Sequence, residues 1–243
     1  MNNEQFIQAL KDHGITISDR QMMQFDLYFE TLVAANQNVN LTTITKRGDV
    51  FLKHFYDSLT PAFFVSALKT DSLSLCDVGA GAGFPSIPLK IMFPKLKITI
   101  VDSLNKRIHF LKQLIADLQL SEVTLFHSRA EEFGAKHSSH REAYDVVTAR
   151  AVARLSVLSE FCLPLVKVGG KMIALKAAKA EDEIKNAKQA LNVLGGRVSQ
   201  DNSFELPVLK EQRHIIVIDK IKKTPSKYPR KAGTPAREPL GEN

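Results

Sequence analysis

The sequence has little cysteine: Cys76 and Cys162 are the only two in 243 residues. Two isolated cysteines, one inside an apolar strand-like run, speak against a disulfide framework and read as reduced core residues of a cytoplasmic protein. No run of about 18 apolar residues occurs, so no membrane span is expected. The opening "MNNEQFIQALKDHG" lacks a basic stretch followed by an apolar one, so no secretory signal is expected. There is no internal repeat and no low-complexity block, and no metal-ligating set is read from the chain.

What is present is the balance of an ordinary globular chain, 44% hydrophobic and 24% charged. The net charge of +7 is uneven: from Lys220 onward there are seven Lys/Arg against Glu238 and Glu242, with four of the ten prolines. With few large apolar residues, this end is expected not to pack alone. It reads either as a mobile polyanion-seeking tail or as a solvated terminus.

Three regions follow from the rhythm of the chain. Residues 1–70 read as a helical cap. Ser18 and Gln21 stand at capping-box spacing before an apolar stripe of Met22, Phe25, Phe29, Leu32 and Val33, and "DVFLKHFYDSLTPAFFVSAL" gives a second helical pattern. Residues 71–220 alternate short apolar runs ("LSLCDV", "KITIVD", "VTLFHS", "YDVVTA", "KMIALK") with helical segments, which predicts an α/β domain with a doubly wound, mainly parallel sheet. The weaker "GRVSQDNSFELP" and the final "RHIIVIDK" predict a closing hairpin with an antiparallel strand at the end of the sheet. Residues 221–243 form the basic, proline-rich tail.

A ligand is expected at the carboxyl ends of the first strands, where "CDVGAGAGFPSIPLK" begins. Its Gly79, Gly81 and Gly83 are spaced G-x-G-x-G, with Phe84 where a dinucleotide fingerprint has its third glycine. Asp77 would repel a pyrophosphate by about 1 kcal/mol at roughly 4 Å in water and about 4 kcal/mol at an effective dielectric near 20. The same charge favours the ammonium and sulfonium of S-adenosylmethionine. Asp102, twenty-three residues after Gly79 at the end of "TIVD", suits ribose hydroxyls in either kind of site. Ala130 and Glu131 of "SRAEEF" could frame an adenine, although taken alone Glu131 and Glu132 read better as acids in the first turn of a helix.

The stretch "VVTARAVARL" lacks the Asn/Asp-Pro-Pro-aromatic box of amino-group methylases, and neither cysteine is placed as a thiolate nucleophile. An acceptor that already owns a lone pair, such as N7 of guanine, needs positioning rather than a base. Strand-end cations suited to RNA are Arg150, Arg154, Lys176, Lys106 and Arg107.

Together, "DVGAGAGFPSIPLKIMFP", "VDSLNKRIHFLKQL", "SRAEEF", "DVVTARAVARL" and "ALKA", with "NVNLTTI" and "HFYDSL" upstream, closely resemble the small-subunit ribosomal RNA methyltransferase G family, also called glucose-inhibited division protein B. The resemblance implies a class I methyltransferase fold (Rossmann-like, seven-stranded) that uses S-adenosylmethionine to make 7-methylguanosine at guanine 527, in the 530 loop of 16S rRNA. By position it puts cofactor contacts on Gly79, Phe84, Ala130, Glu131 and Arg150, with Asp102 and Ser103 near the ribose. Asp77, Gly81 and Gly83 join them from the loop reading. Arg150 and Lys176 are the expected substrate-positioning residues, and Lys106, Arg107, Arg154, Lys176, Lys227, Arg230 and Lys231 the expected RNA contacts. The implied partner is 16S rRNA or the small ribosomal subunit, with neither a membrane nor an obligate protein partner. A nicotinamide-dependent oxidoreductase and a non-enzymatic ribosome-assembly factor are the competing readings.

Overall fold

A computed structural model describes residues 1–241; Glu242 and Asn243, the end of the expected tail, lie outside the described residues. Two helices open the chain, α1 (Asn3–Lys11) and α2 (Asp19–Val39). α2 starts where the capping box predicts: the Gln21 N–H donates to Ser18 Oγ at 3.3 Å, and the Ser18 N–H to Gln21 Oε1 at 2.9 Å. Its inward face is centred on Phe25, Tyr28 and Leu32, while Met22 and Phe29 only flank it.

The second helical pattern is broken into short pieces: α3 (Arg47–Val50), a π-helical turn (Phe51–Tyr56), α4 (Asp57–Leu59), α5 (Pro61–Phe64) and α6 (Ala67–Thr70). The wide turn carries four buried residues, Phe51, Leu52, Phe55 and Tyr56. A single apolar cluster runs from Phe6 and Phe25 through Phe55 to Ile87 and Leu111, so these helices share a core with the sheet.

The sheet has seven strands: β1 (Ser74–Val78), β2 (Lys97–Asp102), β3 (Val123–His127), β4 (Tyr144–Arg150), β5 (Val166–Ala177), β6 (Gly196–Glu205) and β7 (Gln212–Lys220), in the order β3-β2-β1-β4-β5-β7-β6. Between them lie α7 (Ser86–Met92), α8 (Asn105–Asp117), α9 (Ala130–Phe133), α10 (Leu155–Cys162) and α11 (Ala180–Leu194). β1 to β5 pair in parallel, and β7 is antiparallel to both neighbours. The expected hairpin is there, but its antiparallel strand is inserted between β5 and β6 rather than lying at the edge. The unbroken buried run His214–Ile218 suits an interior strand, whereas the polar alternation of β6 suits an edge.

The C-terminal segment also departs from expectation. It is docked and carries a short helix, α12 (Thr234–Arg237), with Thr224, Tyr228 and Pro235 buried. The Arg141 guanidinium donates to the carbonyls of Thr224 and Tyr228, each at 2.8 Å. Arg230 grips the buried Glu160 by two parallel bonds, Nη2 to Oε2 at 2.7 Å and Nε to Oε1 at 3.0 Å. Arg230, expected from the sequence on RNA, is thus engaged in holding the docked segment to α10. Its partner lies 70 residues away, beyond any local pattern.

Candidate active site

The strand order reverses between β1 and β4, and the carboxyl ends of the parallel strands open into two adjoining clefts there. The glycine loop after β1 lines the smaller of them through Gly79, and Ala151 and Val152 of the β4–α10 turn are common to both. Gly79 sits at φ +72°, and a Cβ there would lie 3.0 Å from Val152 Cγ2, so the β4–α10 turn rests directly on it. Gly83, at φ +105°, leaves no room for a side chain: a Cβ would meet Ile87 Cγ1 and the Tyr28 hydroxyl at 2.7 Å. From α2, that hydroxyl donates to the Ala82 carbonyl at 2.6 Å.

Asp77 is fully buried on the strand face it shares with Leu75, and lines neither cleft. Its Oδ2 accepts the Ser86 N–H at 3.1 Å, while Oδ1 has no hydrogen-bond partner among the described residues. Burial pushes the carboxyl up to about 7, against the pull of Ser86 and the Arg150 charge. Asp77, expected among the cofactor contacts, is thus tied to the start of α7.

The smaller cleft, of about 400 Å³, is lined by Gly79, Asp102, Ser103, Ser128, Ala130 and Glu131, with Val152 and Phe161 closing it. Asp102 accepts the Leu104 N–H on Oδ1 at 2.9 Å and the Gly81 N–H on Oδ2 at 3.2 Å, and Arg107 approaches Oδ2 at 3.4 Å. The carboxylate keeps acceptor capacity for a ribose hydroxyl. This donor set fits the adenosine part of S-adenosylmethionine: an acid at the second strand end, a glycine loop beside it, and a second acid, Glu131, beyond. Arg107, expected on RNA, lines this cleft and reaches toward Asp102.

The larger cleft, of about 790 Å³, shares Ala151 and Val152 with the smaller one. Its charged walls are Lys53, Asp57, Arg150, Arg154, Lys176, Glu183, Glu211 and Arg213. Arg150 is its organiser. The guanidinium donates to the Lys53 carbonyl at 2.9 Å, to Asp57 Oδ2 at 3.1 Å and to His54 Nδ1 at 3.2 Å, and lies 4.9 Å over the Phe84 ring. Since Nδ1 faces a donor, the network assigns the proton to Nε2, which donates to Thr42 Oγ1 at 2.8 Å. Burial and the Arg150 charge lower the His54 pKa to about 4, so this ring is neutral. Phe84 stacks on His54 at 4.6 Å and on Tyr28 at 5.5 Å and lines neither cleft. Lys176 Nζ donates to the Ala153 carbonyl and pairs with Glu183, both at 2.6 Å, which fixes the turn between the clefts.

The structure therefore brings together Gly79, Asp102, Ser103, Ala130 and Glu131 in one cleft and Arg150, Arg154 and Lys176 in the next. Lys106, Lys227 and Lys231 are exposed outside both. Sequence reasoning missed Tyr28, Val152 and Arg213. The stretches "NVNLTTI" and "HFYDSL" carry no assigned task in the sequence; in the structure His54 and Asp57 hold Arg150, and Thr42 holds His54.

The sheet order and the clefts at its reversal define a class I S-adenosylmethionine-dependent methyltransferase fold. It is similar to a SAM-dependent methyltransferase from Aquifex aeolicus (TM-score 0.54, 16% identity, covering 74% of this chain and 96% of that one) and to a ribosomal protein L11 methylase from Lactobacillus delbrueckii subsp. bulgaricus (TM-score 0.51, 13% identity, 70% and 79%). The chain belongs to the GidB family, described as rRNA small subunit methyltransferase G, which matches residues 21–216. Relatives named Ribosomal RNA small subunit methyltransferase G are 62% identical over 240 residues in Levilactobacillus brevis and 59% identical over 240 residues in Bacillus cereus, each alignment covering 99% of both chains.

Proposed function

We propose that this protein methylates N7 of guanine 527, in the 530 loop of 16S rRNA, in the cytoplasm, with S-adenosylmethionine held in the smaller cleft and the guanine in the larger. The observation that carries the reading is the junction of the two clefts at Ala151 and Val152: a group seated in one abuts a group seated in the other. S-adenosylmethionine supplies an electrophilic methyl group on a sulfonium. Asp102 and Ser103 would hold its ribose, Ala130 and Glu131 its adenine, and the loop of Gly79, Gly81 and Gly83, braced by Asp77 and Phe84, its remaining part.

The larger cleft favours an acceptor that needs no deprotonation. Both ring nitrogens of His54 are engaged. Asp57 faces Arg150 and Arg213, Glu183 faces Lys176, and Glu211 faces Lys53 and Arg213. Burial pushes both cysteine thiols up, away from thiolate chemistry. What remains is positioning. Arg150 and Arg154 would orient the nucleotide and its phosphates, Lys176 would hold the turn between the clefts, and the exposed Lys106, Lys227 and Lys231 would meet phosphates farther out.

The test is transfer of labelled methyl from S-adenosylmethionine to small-subunit rRNA, followed by digestion to nucleosides. Label in 7-methylguanosine supports the reading, and label confined to another nucleoside or absent from RNA overturns it. Isothermal titration of NADH against S-adenosylhomocysteine separates the oxidoreductase alternative.

A further inference from the structure

The docked C-terminal segment enters the smaller cleft itself. The Gly233 N–H donates to Glu131 Oε1 at 2.9 Å, and Gly233 and Ala236 line the cleft beside Ala130 and Phe161. Gly233 stands at φ +84°, and no atom lies within 4 Å of where its Cβ would be. Glycine is therefore needed there for the backbone turn that aims its N–H at the carboxylate, not for close packing. Two anchors hold this turn in place: the Arg230–Glu160 pair on one side, and the buried Pro235 of α12 on the other. The segment thus has two sides, with Lys227, Lys231 and Arg237 exposed while its backbone faces the cleft.

We propose that residues 230–237 form the adenine-end wall of the cofactor pocket and that Gly233 is a positioning residue, its N–H taking one Glu131 oxygen so that the carboxylate is held for the ligand. The proposal rests on the reading of the smaller cleft as the S-adenosylmethionine site. It gives the tail a task in cofactor binding beyond its charge, and it lies outside the span, residues 21–216, that the family description matches.

The test is isothermal titration of S-adenosylhomocysteine into the full chain, a chain ending at Pro229, and full-length Gly233→Pro. Proline removes the N–H and cannot adopt a positive φ. Loss of a hydrogen bond to a charged group predicts affinity about tenfold weaker in both variants, with KM for S-adenosylmethionine raised and kcat retained. The Lys223→Ala/Lys227→Ala pair, exposed and outside residues 230–237, removes tail charge without touching the wall and keeps full affinity. A merely structural wall would give additive effects, whereas here the losses from Glu131→Ala and Gly233→Pro should coincide in the double variant. Unchanged affinity in Gly233→Pro overturns the proposal, and so does additivity with Glu131→Ala. If the shortened chain does not fold, the point variant decides alone. Failure of the unaltered chain to bind S-adenosylhomocysteine would instead sink the cofactor reading, and the wall with it.

Discussion

The hydroxyl of Tyr28, on α2, donates to the carbonyl of Ala82 in the glycine loop at 2.6 Å, 54 residues along the chain. An N-terminal helix thereby fixes the floor of a cleft built by the sheet. Tyr28→Phe keeps the ring and removes the donor, leaving a buried carbonyl unpaired. It should cost about 1–3 kcal/mol in urea unfolding and weaken S-adenosylhomocysteine binding severalfold. A variant as stable as the parent would detach Tyr28 from the loop.

Asp77 makes stability depend on pH. Its folded value, about 7, lies above its ordinary 3.8 because of burial, so the folded protein retains a proton that the unfolded chain has released. The contribution is fully present below about pH 4 and is lost as pH rises through about 7, by at most about 4 kcal/mol. Asp77→Asn, which keeps an acceptor for the Ser86 N–H, should therefore gain stability relative to the parent between about pH 5 and about pH 8. Denaturation curves at the two values check this, and a constant difference contradicts it.

Arg150, expected from the resemblance on the cofactor, lines the larger cleft and not the smaller. It is held by Lys53, His54 and Asp57 in a planar, multi-donor geometry that lysine cannot reproduce. Arg150→Lys should lower kcat/KM toward rRNA by roughly a hundredfold while S-adenosylhomocysteine affinity changes by about twofold or less. Equal losses in both would place Arg150 on the cofactor.

The exposed tail cations should act through phosphates alone. In Lys227→Ala/Lys231→Ala, the slope of log affinity for rRNA against log salt concentration should shrink by about 1 to 2. An unchanged slope would make these two lysines bystanders.

What the sequence made legible was local. The five parallel strands, the capping box at Ser18, the glycine loop and Asp102 at a strand end all follow from periods of two or 3.6 residues and from short spacings. Asp77 shows where this stops: motif chemistry suggested a charge facing a ligand, but strand parity places it with Leu75, toward the core and α7. Tyr28 was passed over because a tyrosine beside Phe25 and Phe29 does not announce which helix face turns inward. The tail read as mobile because its anchors, Arg141 and Glu160, are 87 and 70 residues from their partners and carry no local signature. His54 and Asp57 stood in recognisable stretches, yet only the fold brings them to Arg150.

The central claim is methyl transfer to one guanine N7. The most direct measurement incubates the protein and S-adenosylmethionine with small-subunit particles lacking the modification, then applies borohydride and aniline, which cleave RNA at 7-methylguanosine. The account predicts one new scission, at guanine 527 in the 530 loop, dependent on Asp102. No enzyme-dependent scission, or scission at a different guanine, would contradict it.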